Sequence, residues 1–385
     1  MDMNLTDEFS TEEIMVMVDT CVEAQLKGGT GSSALLYLES MPGIGKTQMV
    51  EAYQEWKYEN GSEALGLAHP KVGMRTIILS QSESVDFGAP APDFKTGTLN
   101  FLVPNDVLGK GEGDEDNDIN IVFWDELPNA SAATLAAWQS VAESGEIRGR
   151  KKATNCVYLA AGNRPEDKCG ARPLPRSIRE GRIVSVPMGV SMDRLIAHAE
   201  DSEWDPRIQA MLQWSKSKSK GMFDGFDPNT KAKVQPTPRG IQKLNVLLDQ
   251  RPPENILNAL APGCVGDRMW AEIRAFFYMQ DDLPSFEEIV QDPEGCIVPG
   301  DNNPSVGPSG QYAVISNCAY YLKDMGSRGD HVSTSIHESF IKYFDRMSDE
   351  MTLFGLKICA NAHPDFCKAP GWGEAQVKYS ELTLS

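Results

Sequence analysis

Apolar and polar positions fall into two regimes along this chain. Through the first half, short unbroken apolar runs predict buried strands at Ala34–Leu38, Arg75–Ser80, Asn120–Glu126, Asn155–Ala161 and Ile183–Pro187. Between them lie stripes at helical spacing. Ile14, Met17, Val18, Cys21 and Val22 share one face of a helix that opens on a capping box, Ser10-Thr11-Glu12-Glu13, and ends before Gly28-Gly29. Met49, Val50, Tyr53 and Trp56 mark a second helix, and Leu135, Trp138 and Val141 mark a third within Ser131–Ser144. From Ser191 onward the pattern is helical throughout. It predicts helices over Met192–Glu200, Arg207–Ser215, Arg239–Leu248, Val265–Met279, Gln311–Leu322, Ser333–Met347 and Asp349–Ala362. Ile336, Phe340, Ile341 and Phe344 give the penultimate helix its apolar face. The polar stretches Lys216–Gln235 and Asp292–Gly310 read as linkers.

Composition narrows the possible partners. The chain has 385 residues and a formal net charge of -19, which disfavours a broad electrostatic grip on nucleic acid while leaving room for local basic loops. Eight cysteines without a C-x-x-C pair read as reduced thiols in a cytoplasmic setting. Cys359, His363 and Cys367 share one helical spacing, but Pro364 interrupts the helix and a fourth ligand is not apparent, so core packing is the expectation there. No signal peptide is visible in the acidic, polar start, and no apolar stretch approaches a membrane span.

The candidate chemistry sits at the ends of the predicted strands. After the first comes Ser40-Met41-Pro42-Gly43-Ile44-Gly45-Lys46-Thr47, then Gln48 and a helix. Strand, glycine-rich turn and helix are the context of a phosphate-binding loop. Backbone N–H groups converge on an anion, Lys46 reaches the β- and γ-phosphates and the Thr47 hydroxyl ligates Mg²⁺. Ser40 stands where the usual pattern has its first glycine. The third strand ends in Asp125-Glu126, where one carboxylate can hold Mg²⁺ and the other can polarise water. The next strand ends at Gly162-Asn163, placing an amide where it can bond the γ-phosphate or the water. Arg172, Arg176, Arg179 and Arg182 crowd the approach to the last strand, a position from which an arginine can reach a neighbouring subunit. In Gln235-Pro236-Thr237-Pro238-Arg239, Thr237 suits an N-cap and Pro238 the first helical position; Arg239 in that first turn needs either an anion or open solvent. Two stretches, Ser84–Phe101 and Gly145–Lys152, stay open between a working role and a solvated surface. Ser84–Phe101, with two prolines and a Lys-Thr-Gly turn, predicts an irregular loop or hairpin. Gly145–Lys152 predicts a basic hairpin, and the acidic run Gly111–Asp118 predicts a solvated, mobile loop.

Taken together these residues resemble the AAA+ ATPases, and within them the MoxR group, from about Leu35 to Phe277. Pro42–Thr47 resembles the Walker A core and Ile121–Glu126 the Walker B strand. Asn163 matches the sensor 1 position, and Pro236–Arg239 resembles sensor 2. Leu174–Ile183 looks like the segment that carries the arginine finger; on that match Arg182 takes the finger's place and Arg179 is its rival. Pro128-Asn129 stands where the group has Asn-Arg, and Gly181 replaces an acidic neighbour. The resemblance implies an α/β fold with a five-stranded parallel sheet flanked by helices. It further implies an N-terminal helix over 1–30, a nucleotide-binding domain over 31–190, a helical lid over 191–292, and a linker and helical C-terminal region over 293–385. It implies an ATP- and Mg²⁺-dependent ATPase that assembles as a ring, usually a hexamer, and remodels protein clients, often with a partner carrying a von Willebrand A domain. On this match the catalytic residues are Glu126, Asn163 and Arg182. Pro42, Gly43, Ile44, Gly45, Lys46, Thr47, Gln48 and Arg239 bind nucleotide, and Thr47 and Asp125 hold the metal. Asp93-Phe94 and the basic hairpin fall where the group carries pore-side insertions. ATP is expected over GTP because no N-K-x-D motif is present. Similar chains occur in bacteriophage genomes, which would place the protein in a host cytoplasm. A nucleic-acid motor of similar fold, or a nucleotide-gated scaffold with little hydrolysis, are the alternatives; the acidic balance argues against the first and Glu126 with Asn163 against the second.

Overall fold

The computed structural model describes residues 9, 11–28, 34–217, 222–223, 227–277, 283–300, 307–328 and 331–379. The chain divides into two compact units, residues 1–191 with 227–230, and residues 192–226 with 231–385.

The first unit is built on five parallel strands: β1 (Leu36–Ser40), β2 (Val72–Ile78), β5 (Ile119–Asp125), β8 (Cys156–Asn163) and β9 (Val184–Met188), in the order β2-β5-β8-β1-β9. Parallel strands need crossovers, and helices α1 (Thr11–Gly28), α2 (Lys46–Asn60), α3 (Ala132–Ser144) and the short α4 (Arg176–Arg179) cover the faces. The apolar runs are unbroken because each central strand faces two cores. Leu36, Leu38, Ile121, Phe123, Val157 and Leu159 pack with α1 and α2, while Tyr37, Val122, Trp124, Tyr158 and Ala160 pack with Trp138 and Val141 of α3. A buried charge cluster ties α1 to α2. Lys57, 1% exposed, lies 2.6 Å from Asp19 and 2.5 Å from Glu23; Glu23 also accepts from Ser62 and the Ala64 N–H, and the Tyr53 hydroxyl bonds Asp19.

Two antiparallel hairpins leave the sheet. Strands β3 (Ala89–Asp93) and β4 (Thr98–Leu102) form the first, so the open reading of Ser84–Phe101 resolves to a hairpin, preceded by a 3-10 turn at Ser84–Phe87. Strands β6 (Glu146–Ile147) and β7 (Arg150–Lys151) form the second, turning at Arg148 and Gly149, both with positive φ. The two touch where the Arg148 guanidinium lies 4.0 Å from the Phe101 ring centre. The acidic run is more structured than a solvated loop: Asp114 accepts from the Gly111 N–H and pairs with Arg75, making a 3-10 turn at Asp114–Asp116.

The second unit is helical over its described residues: α5 (Met192–Asp201), α6 (Pro206–Lys216), α7 (Pro238–Asp249), α8 (Glu254–Leu260), α9 (Pro262–Val265), α10 (Asp267–Phe277), α11 (Phe286–Gln291), α12 (Gly307–Arg328), α13 (Thr334–Phe344), α14 (Asp349–Ala362) and α15 (Trp372–Tyr379). α12 packs on α6 and α14. It begins four residues earlier than its apolar stripe predicts, with Gly307 and Gly310 buried, and it ends later, at Arg328. The short helices α8, α11 and α15 were not predicted, because two turns give too few apolar repeats to register. Cys359 is fully buried and Cys367 is exposed; no group of three metal-ligating side chains occurs among the described residues, so Cys359 is a core residue. No described helix is long and apolar enough to cross a membrane. Ser10 of the predicted capping box and Met279 lie outside the described residues.

Candidate functional site

The carboxyl ends of β1, β5 and β8 lie side by side. Register pairs Ser40 with Asn163 and Ile78 with Asp125, so polar residues distant in sequence become neighbours at one sheet edge. From that edge β1 turns through Pro42, Gly43 and Ile44 into α2. Gly43 and Gly45 have φ of 78° and 92°, a region glycine enters without steric cost. Ile44 packs on the core shared with α1. Gly45 is the N-cap of α2, and no side chain caps the helix. Its first N–H groups are therefore left open to an anion. Gln48 is exposed beside Gly45.

Lys46 is 9% exposed. Its amine donates to Ser40 Oγ at 2.8 Å, to Asn163 Oδ1 at 2.8 Å and to the Met41 carbonyl at 3.2 Å. Ser40 is thus more than a departure from a glycine pattern: its hydroxyl accepts from Lys46 and donates to the Met41 carbonyl. Thr47 Oγ1 donates to Asp125 Oδ2 at 3.0 Å. This hydroxyl–carboxylate pair is an all-oxygen donor set, the kind that suits Mg²⁺, which takes few protein ligands and completes its shell with phosphates and water. Asp125 Oδ1 also accepts from the Glu126 N–H at 2.8 Å.

Glu126 sits just past β5 with φ 57° and ψ 33°, a left-handed conformation unusual for glutamate. Its carboxylate accepts a short hydrogen bond from the Ser80 hydroxyl. Ser80 escaped sequence reasoning: it closes the apolar run that predicts a strand over Arg75–Ser80, but β2 ends at Ile78 and Ser80 sits in a 3-10 turn, Leu79–Gln81, just beyond it. Gly162 packs against Pro128. A Cβ on Gly162 would meet the Pro128 ring at 2.1 Å and the Tyr37 hydroxyl at 2.7 Å, so the turn after Glu126 rests directly on the strand end that carries Asn163. Burial raises the pKa of Tyr37. Cys169, on the loop beyond Asn163, has its thiol pushed up by burial and by Asp167 while the Lys46 charge pulls it down.

The geometry therefore brings Lys46, Thr47, Asp125, Glu126 and Asn163 to one edge. It does not bring Arg179 or Arg182 there. Arg182 bonds Glu143 Oε2 and the Ser177 carbonyl, both at 2.6 Å, with its side chain 20% exposed. Arg179 makes a two-pronged pair with Glu39, at 2.7 and 3.0 Å. Neither carboxylate partner was anticipated, since each lies far away in sequence. Arg239 belongs to the second unit, exposed in the first turn of α7; Thr237 caps that helix by accepting from the Gly240 N–H. On the hairpins, Asp93 Oδ1 accepts from the Lys95 and Thr96 N–H groups, which lowers its pKa and fixes the turn that holds Phe94 out, 92% exposed. Arg150 and Lys151 are exposed, while burial lowers the pKa of Lys152.

No protein-family model and no curated protein matches the chain. Several solved structures are similar to it. A candidate ATPase from Cytophaga hutchinsonii is 12% identical, with 84% of this chain and 78% of that one covered, at a TM-score of 0.28. A RuvB variant from Thermotoga maritima is 12% identical over 85% of each chain, at 0.34. PCH-2 of C. elegans is 16% identical over 71% of this chain and 70% of that one, at 0.34.

Proposed function

We propose that the chain is an ATPase of AAA+ type that works as a ring, usually a hexamer, and uses ATP hydrolysis to remodel or assemble protein complexes in the manner of the MoxR group. The observation that carries the reading is the joined strand edge: Lys46 bonded to Asn163, and Thr47 bonded to Asp125, beneath a helix start without a side-chain cap.

On this reading the triphosphate takes the open N–H groups of α2, and Lys46 turns from its neutral oxygens to the β- and γ-phosphates. Mg²⁺ held by Thr47 and Asp125 would neutralise charge on the same phosphates. Glu126 orients the attacking water and accepts its proton once the carboxylate leaves Ser80; Asn163 then bonds the water or the γ-phosphate. Arg182 acts on the neighbouring subunit's nucleotide, which requires it to exchange Glu143 for a phosphate. Arg239 couples the helical lid to nucleotide. The two hairpins, with Phe94 at one tip and Arg150 and Lys151 on the other, face the protein client; a partner with a von Willebrand A domain fits the same scheme.

The test is phosphate release. Wild-type chain should release phosphate at a rate per chain that rises with protein concentration as rings form. Glu126→Gln should bind ATP with near-normal affinity and turn over at least about a hundredfold more slowly. Equal rates in the two proteins would remove Glu126 from the mechanism, and no release by wild type would remove hydrolysis.

A further inference from the structure

Six cations lie between Asn163 and β9: Arg164, Lys168, Arg172, Arg176, Arg179 and Arg182. Four of them have a carboxylate of their own. Arg164 forks onto Asp167 with both bonds at 2.9 Å, Arg176 pairs with Glu180, Arg179 with Glu39 and Arg182 with Glu143. Lys168 donates to Asn229. Arg172 is exposed, and among the described residues its side chain has neither hydrogen bond nor ion pair.

Its backbone is fixed, however. The Arg172 N–H donates to the Pro128 carbonyl at 3.1 Å. Pro128 is buried, two residues past Glu126, and its ring covers Gly162, the neighbour of Asn163. The loop from Asn163 to Arg172 thus leaves the phosphate edge, passes Cys169, whose thiol feels the Lys46 charge, and returns to the turn that carries Glu126. An uncompensated guanidinium is rooted on the scaffold that joins Glu126 to Asn163. A guanidinium there costs little when free in solvent, and its planar fork of N–H donors matches the several acceptor oxygens of a phosphate.

Resting on the ATPase reading above, we propose that Arg172 is a further catalytic residue: it bonds the terminal phosphate of the nucleotide held by its own chain and stabilises charge there during hydrolysis. It acts in cis, unlike Arg182, which acts across an interface.

The experiment compares Arg172→Ala and Arg172→Lys with wild type, reading kcat, KM, binding of a fluorescent ATP analogue and thermal midpoint. Arg172→Ala should lower kcat by about tenfold or more, shift analogue affinity by no more than about threefold, and leave the midpoint unchanged, because the side chain is exposed. Arg172→Lys should recover part of the rate, since it keeps the charge and loses the fork. Mixing then separates the two arginines. Arg172→Ala chains mixed with Glu126→Gln chains should gain no activity, because no chain in the mixture owns both groups. Arg182→Ala chains mixed the same way should gain activity, which also certifies subunit exchange. A wild-type kcat in Arg172→Ala overturns the proposal and leaves the ATPase reading standing. Recovery in the Arg172→Ala mixture overturns the cis assignment. A wild-type chain without hydrolysis overturns both.

Discussion

Helix α2 carries two buried lysines, at its first position and eleven residues on, and the fold treats them in opposite ways. Lys57 is 1% exposed and clamped by Asp19 and Glu23 at 2.6 and 2.5 Å. Lys46 is nearly as buried, yet the three hydrogen bonds described for its amine end on neutral oxygens, of Ser40, Met41 and Asn163. A buried cation needs compensation. Lys57 receives it from the protein as formal negative charge. The partners described for Lys46 are dipoles, which hold the amine in place at the strand edge. The same residue type on one helix is a structural rivet at one end and the centre of a candidate phosphate site at the other.

That contrast can be broken from either side. The largest effect is expected from Lys57→Met, which strands two partly buried carboxylates. Chemical denaturation should show a loss of about 3 kcal/mol or more, with nucleotide affinity of the remaining folded protein unchanged. Lys46→Ala should do the reverse: ATP affinity falls by about a hundredfold, equal to about 3 kcal/mol, while stability falls by only about 1–2 kcal/mol. If Lys57→Met abolishes ATP binding in folded protein, or Lys46→Ala unfolds the chain, the division of labour is wrong.

Acid sharpens the contrast. Burial works to raise the pKa of Glu23, but hydrogen bonds from Lys57, Ser62 and the Ala64 N–H, with the Lys57 charge, together bring it below the ordinary 4.5. A group whose pKa is depressed by folding contributes stability above its unfolded value and loses it as pH falls through the folded one. Wild-type stability should therefore decline as pH drops below 4.5, and Lys57→Met should flatten that decline in a pH series of melts. The smallest expected effect is that of Ser40→Gly. It removes one of the three acceptors described for Lys46, so stability should fall by about 1 kcal/mol while ATP affinity stays within about threefold of wild type. An affinity loss as large as that of Lys46→Ala would give Ser40 a direct role with ligand.

The two ends of α2 also mark how far the sequence could be read. The Lys46 end was legible because its chemistry is local: strand, glycines, lysine and threonine are contiguous, and the apolar runs that become β5 and β8 point to Asp125 and Asn163. The Lys57 end was not. Its partners lie more than thirty residues away on α1, and Lys57 itself breaks the apolar stripe that marks the helix. The same distance hid Ser80 from Glu126, Glu39 from Arg179 and Glu143 from Arg182, pairings made by topology and not by spacing. The hairpins were half legible. The Lys-Thr-Gly and Arg-Gly turns mark reversals, but only packing shows Arg148 seated on Phe101.

Trp124 gives the first hairpin's base an optical readout. The indole is fully buried, one residue before Asp125, stacked on Phe87 at 5.8 Å and meeting Tyr158 edge-on at 5.8 Å. Phe87 closes the turn that leads into β3. Any displacement of that hairpin that shifts Phe87 changes the environment of an indole adjoining the residue assigned to the metal. Tryptophan emission, with the other six indoles replaced by phenylalanine, would then report strain in the arm as a spectral shift without an attached dye.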